Sequence, residues 1–264
     1  MPFPESHRVR FKKNPLRQVI CQLRFPPILK IDTGIPADFQ DRIRNSFPNF
    51  SEISEWKIEF PKVIGGALPP EIADQVSQSA GNKNYSFLTE DEKNKINLTR
   101  TFIALSTINY HVWEEFRSML ENILKIFVDI YNPSYYSRIG LRYIDIITRS
   151  ELGLKDVDWN SLLKPHVLGI ISDPYVGKNV EDYESKYLIG LEDGESIVRI
   201  ISKLINNEPT NEDLFVIDSD FFGTQKIAPN NVMELLNFYN TRASRLINWA
   251  ILPRLFDAME PEDI

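Results

Sequence analysis

A chain of 264 residues, 42% hydrophobic and 25% charged, has enough apolar material for a substantial core in one large domain or two small ones, and no compositional signature of disorder. Its formal net charge of -7 and pI near 5.2 argue against bulk, sequence-independent affinity for nucleic acid and leave room only for a local basic groove. The first residues, MPFPESHRVRFKKN, lack the apolar core of a signal peptide, and no later apolar run is long enough to span a bilayer, so a cytoplasmic protein without membrane contact is expected.

Residues 1–15 read as an extended arm ending in Asn14-Pro15, because proline pushes its predecessor out of the helical region. Leu16 to Phe25 follows as a strand, with Val19, Cys21, Leu23 and Phe25 on an apolar face and Gln18, Gln22 and Arg24 on the other. Pro36 opens a helix through Phe47 with Phe39, Ile43 and Phe47 in a narrow apolar stripe. A short strand is expected over Ser54 to Phe60. The stretch Pro61 to Asn84, with its glycine and proline pairs and polar run, reads as a long loop that is mobile in isolation. Tyr85 to Leu88 and Lys95 to Thr107 form a predicted hairpin around the acidic tip Glu90-Asp91-Glu92. Asn109 is the expected cap of an amphipathic helix whose apolar positions run Trp113, Phe116, Leu120, Ile123, Leu124, Phe127 and Tyr131 until Asn132-Pro133 ends it.

The next stretch, YSRIGLRYIDIITR from Tyr136 to Arg149, organises the chain. At period two, Ile139, Leu141, Tyr143 and Ile147 share one face, and Arg138, Gly140, Arg142, Ile144 and Ile146 share the other. The second face starts with two guanidiniums flanking a glycine and then turns apolar, so Arg138 and Arg142 need carboxylates, water or a ligand. A short helix around Trp159 to Leu163 comes next. A hairpin then joins Lys186–Glu192 to Ser196–Leu204 through Asp193-Gly194, a strong turn signal between alternating runs. Leu214 to Phe222 is the last expected strand, and a helix from Asn231 to about Phe256 is kinked or ended by Pro253.

Each half, 1–132 and 133–264, therefore reads strand, helix, three strands, long helix, with the two halves packed as one cooperative unit. The predicted class is α+β, an antiparallel sheet covered by long helices. The order is similar to the TATA-binding-protein-like and helix-grip arrangements, an analogy of fold alone. Three runs, Asn14-Pro15-Leu16 with VICQLRFPPIL, NLTRTFIALSTINYHVWEEF and YSRIGLRYIDII, together resemble a sporadically distributed bacterial family that has no assigned function. That resemblance covers nearly the whole chain and carries no catalytic residues over. Its patchy distribution implies a context of toxin neutralisation or antiviral defence.

Asp218 and Asp220 in FVIDSDFF lie two apart on one strand, so both carboxylates share a face, as a divalent metal or a pair of guanidiniums requires. Arg138 and Arg142 are their counterpart, either in an ion-pair network with those aspartates or as an anion or phosphate site. No firm third metal ligand accompanies the aspartates, and no glycine-rich phosphate loop or nucleophile elbow is present. The lone Cys21 lies on an apolar strand face and reads as a buried structural thiol, and His7, His111 and His166 are too scattered for a local zinc cluster. Tyr135-Tyr136, Tyr85, Phe87 and Phe102 would stack on bases only from an open sheet, and on a covered one they are core.

The expected function is a non-enzymatic protein-interaction module without a cofactor, holding another protein such as a toxin or defence effector encoded nearby. The alternative is a nucleotide- or nucleic-acid-responsive protein, weakly enzymatic, using Arg138 and Arg142 for phosphate and Asp218 and Asp220 for metal.

Overall fold

The computed structural model describes residues 2–53, 83–207 and 209–264. In chain order, the first half contributes β1 (Val9–Phe11), β2 (Leu16–Arg24), α1 (Ala37–Ile43), β3 (Asn49–Ile53), β4 (Asn84–Leu88), β5 (Asn94–Leu98), β6 (Phe102–Thr107) and α2 (Trp113–Tyr131). The second half contributes β7 (Arg138–Ile147), the short α3 (Pro165–Leu168), β8 (Glu184–Gly190), β9 (Ser196–Asn207), β10 (Glu212–Gly223), α4 (Val232–Ala250), α5 (Pro253–Ala258) and β11 (Pro261–Asp263). The protein is α+β. Its main feature is a nine-stranded antiparallel sheet in the order β3-β4-β5-β6-β2-β7-β10-β9-β8.

The register follows from the alternation. Cys21 on β2 lies opposite Leu141 on β7, which lies opposite Phe221 on β10, so one face of the sheet's middle is continuously apolar. Onto this face pack the stripes of α2 (Phe116, Leu120, Ile123, Phe127) and α4 (Leu236, Tyr239, Leu246), in a single core with Tyr85, Phe87, Ile96 and Leu105. The other face carries a smaller apolar cluster, Ile144, Ile146, Leu214 and Val216, beside the charged residues described below. Asn132 takes the left-handed conformation (φ 42°) and its N–H bonds Val128 O at 2.9 Å, which stops α2 before Pro133. Among the described residues no helix is long and apolar enough to cross a membrane.

Several elements differ from the sequence expectations for identifiable reasons. The strand expected over Lys95–Thr107 is two strands, because the Thr99 hydroxyl accepts from the N–H groups of Thr101 (3.2 Å) and Phe102 (3.1 Å) and turns the chain. Asn109 does not cap α2: its side chain reaches His111 Nε2 at 3.1 Å, and the helix starts after Val112 without a side-chain cap. Pro253 divides the C-terminal helix, ending α4 at Ala250 and sitting at the start of α5, where its missing N–H is harmless. The arm is held at its base, since β1 pairs with β11 from the far end of the chain, Arg10 opposite Glu262. Phe102 is buried, but on the face away from Tyr85 and Phe87. The strand expected over Ser54–Phe60 and nearly all of the loop expected over Pro61–Asn84 lie outside the described residues, whereas Asn84 itself opens β4.

The sequence halves meet along β2 and β7, whose pairing runs from Leu16 opposite Asp145 to Arg24 opposite Arg138. The helices meet above that seam, where Trp113 Nε1 donates to Asn237 Oδ1 at 2.8 Å. Cutting the chain at residue 132 exposes the central edge of each half-sheet and the apolar stripe over it. We therefore expect residues 1–132 and 133–264, expressed separately, to aggregate or to fold only when mixed. Two monomeric halves with sharp thermal transitions of their own would count against this.

Candidate functional site

The face of the sheet away from α2 and α4 gathers every site residue that the alternation singled out. Arg138, Gly140 and Arg142 reach it from β7, Asp218 and Asp220 from β10, and Arg199 from β9. Asp220 stands directly opposite both Arg142 and Arg199, and Asp218 stands opposite Ile144. The pairs that form are partly diagonal. Arg142 Nε donates to Asp218 Oδ1 at 2.6 Å and its Nη2 to Asp218 Oδ2, a two-pronged pair in which Arg142 is 7% and Asp218 5% exposed. Asp220 Oδ2 accepts from Arg138 Nη2 at 2.9 Å and from Arg199 Nη2 at 3.2 Å.

Arg138 begins two pairing levels away from Asp220, so its side chain must run along the strand to reach it. Gly140 makes that possible: a Cβ there would lie 2.5 Å from Arg138 Nη1. The guanidinium occupies the space left free, with its Cζ 4.8 Å from the centroid of the Phe222 ring. Glycine in the middle of a strand thus marks a close side-chain approach. Arg24, opposite Arg138 on β2, donates through Nε to Gln22 Oε1 at 3.2 Å. Burial, followed by the Arg138 charge, lowers the Arg24 pKa, and Asp220 acts in the opposite sense. Burial also works against charge on Arg142, but the charge and hydrogen bonds of Asp218, with help from Asp220, outweigh it and raise its pKa.

The described cluster holds four guanidiniums, of Arg24, Arg138, Arg142 and Arg199, around the two carboxylates of Asp218 and Asp220. An anion at Arg138 or Arg142 competes with carboxylates already bound. A metal at Asp218 and Asp220 competes with three guanidiniums, and among the described residues no group of three or more His, Cys, Asp or Glu is placed to hold a metal. Cys21 is fully buried, and burial raises its thiol pKa far above the ordinary range, as befits a structural residue. His166 stacks on Trp249 at 3.7 Å between ring centroids. Comparison with models of known protein families finds no match, and comparison with curated proteins finds no matching relative.

Sequence reasoning did not single out Arg199 or Asp145. Arg199 sits at the centre of SIVRIIS, and the signal was its parity: a charge out of phase with the core residues Val198 and Ile200, on a strand adjoining the aspartates. Asp145 lies on the helix-facing side of β7, the one acid among Leu141, Tyr143 and Ile147.

Removing Arg142 leaves Asp218 buried without its guanidinium. We expect Arg142→Ala to cost on the order of 3–5 kcal/mol in denaturant unfolding. Asp218→Ala in the same background should add less than its own separate cost, and additive losses would reject the coupling. Gly140→Ala displaces the Arg138 guanidinium and should cost about 1–3 kcal/mol. That cost should be largely absent in an Arg138→Ala background, where there is nothing to displace.

Proposed function

We propose that this protein is a non-enzymatic interaction module that holds an extended segment of another protein along β8. One observation carries the reading. β8 is the outermost strand of the sheet, paired only with β9 among the described residues, and it presents Tyr187 (45% exposed) and Leu188 (62%). A free strand edge with exposed apolar side chains is a template for strand addition, where main-chain hydrogen bonds supply affinity and alternate side chains supply selectivity. Beside it stands a second apolar group. Tyr183, just before β8, donates its hydroxyl to Val167 O at 2.8 Å, which places the following turns with exposed Ile170, Tyr175 and Val176 at the start of the strand.

The charge cluster supports the same reading, because its aspartates and arginines are engaged with each other instead of converging on an empty centre. The acidic balance of the chain suits a basic partner, and a toxin or defence effector encoded nearby is the partner class that the sequence resemblance suggests. In this reading the sheet is a saddle of the TATA-binding-protein-like kind built from two related halves. Its support is the matching order of the halves: the first long strand of each (β2, β7) lies at the middle, the last main-sheet strand of each (β6, β10) lies directly outside it, and a helix of 19 residues follows that strand in each half.

The test is affinity capture from the native host with the full chain and with the double variant Tyr187→Gln/Leu188→Gln, whose exposed positions should leave the melting temperature nearly unchanged. We expect a protein retained by the wild type to be depleted about tenfold, some 1.4 kcal/mol, in the variant. Equal retention by both would overturn the assignment to β8. An eluate carrying nucleotide or nucleic acid in place of protein, lost on Arg138→Ala, would favour the nucleotide-responsive alternative.

A further inference from the structure

On the helix side of the sheet, Asp145 occupies an inward position of β7 between Leu16 on β2 and Ile217 on β10. It is 8% exposed, and its carboxyl has no hydrogen bond or ion pair with the rest of the described chain. A carboxyl group in that state is costly unless something meets it. It borders a cavity of about 110 Å³ roofed by the β1 arm and walled by the segment leading into α2 and by α4.

Among the polar groups around this cavity, which include the amides of Asn14, Asn240 and Asn248 and the hydroxyls of Ser219 and Ser244, one acceptor is buried without a partner. Asn248 donates its Nδ2 to Ser6 Oγ at 3.0 Å, while its Oδ1 is buried with no hydrogen-bond partner. Tyr143 donates its hydroxyl to Asn240 Oδ1 at 2.9 Å, so its oxygen can only accept a further bond. The two guanidiniums at the rim are already engaged, Arg8 with Glu114 and Arg10 with Glu262, each at 2.7 Å, and do not neutralise Asp145. Tyr110 and Trp113 supply aromatic walls, with Tyr110 edge-on to Tyr143 at 6.1 Å. A carboxyl without a counter-ion, the open Asn248 oxygen and aromatic rings suit a guest that carries donors and a positive charge. An enclosed apolar cavity of roughly 150 Å³ takes a benzene ring, so this smaller, half-open one holds the charged end of a guest whose body extends along the aromatic walls.

We propose that this cavity binds a small organic cation, an ammonium or amidinium on a short apolar or aromatic body, with Asp145 taking the charge and Tyr110 and Trp113 packing on the body. Binding then couples to protons. Burial, with a smaller contribution from the Asp218 charge, pushes the Asp145 carboxyl up to about 7. Below that pH a bound cation favours the carboxylate and releases its proton; above it the carboxylate is already formed and no release occurs. The titratable and charged groups facing it are Tyr143 on its own strand, Tyr110 and His111 before α2, Arg8 and Arg10 in the arm with their partners Glu114 and Glu262, and Asp218 on β10. Burial holds Tyr110 and Tyr143 well above the ordinary tyrosine range, so both stay neutral here.

Titration calorimetry of the full chain with benzylamine and its uncharged counterpart benzyl alcohol, at pH 6 and pH 8, tests the assignment. For the wild type at pH 8 we expect benzylamine to bind at least about tenfold more tightly than benzyl alcohol. At pH 6, buffers of different ionisation enthalpy should reveal release of most of a proton, absent at pH 8. In Asp145→Asn both the preference and the release should vanish. Equal affinity for the two probes, no benzylamine binding up to about 10 mM, or a preference and proton release that survive in Asp145→Asn would each overturn the proposal. The wild-type comparison stands alone should the variant not fold.

Discussion

The structure depends on one strand having partners on both sides and different chemistry on its two faces. β7 is paired with β2 from the first half and β10 from the second, and every residue after Arg138 is buried. Its helix-facing residues join the sheet to α2 and α4, and its other face must keep Arg138 and Arg142 satisfied out of bulk water. Taking those charges from water costs several kcal/mol per ion, and only close, multiply hydrogen-bonded pairing offsets it. The network with Asp218, Asp220 and Arg199 meets that requirement and ties β7, β10 and β9 to one register, since a one-residue slip would send the arginines to the helix side.

The sheet was largely legible in the sequence because its signal is local. Alternation in VICQLRF, RIGLRYIDII and FVIDSDFF set both the strands and their faces, and Asp193-Gly194, with Gly194 at φ 74°, marked the hairpin between β8 and β9. What escaped depends on single side chains or distant partners. Thr99 turns the chain inside a run of strand formers. The pairing of β1 with β11 joins opposite ends of the chain, and no local pattern encodes it. The aspartates and arginines were placed on their faces by parity, but the diagonal choice of partners follows from the room at Gly140 and the reach of each guanidinium, neither of which parity contains.

The distribution of satisfied and unsatisfied groups sets the charge network of the sheet apart from the two places proposed above for partners. Asp218 and Asp220 are each held by guanidiniums, whereas Asp145, the same residue type one strand away, is buried on the opposite face with none among the described residues. The same contrast holds for apolar groups: Phe39, Phe87 and Phe127 are fully enclosed, while Tyr187 and Leu188 stand on a strand paired on one side only among the described residues. A carboxyl without a counter-ion and an apolar strand edge are the kinds of group that binding satisfies, and the proposed partners meet the chain there.

Amide hydrogen exchange resolved along β2 and β7 tests most directly whether the central seam is the element on which the fold depends. The amides of Val19–Leu23 and Ile139–Asp145 should exchange only through global unfolding, with protection equal to the free energy of denaturation and the same denaturant slope. Exchange of these strands through a smaller opening, while β9 or α4 stays protected, would contradict that account.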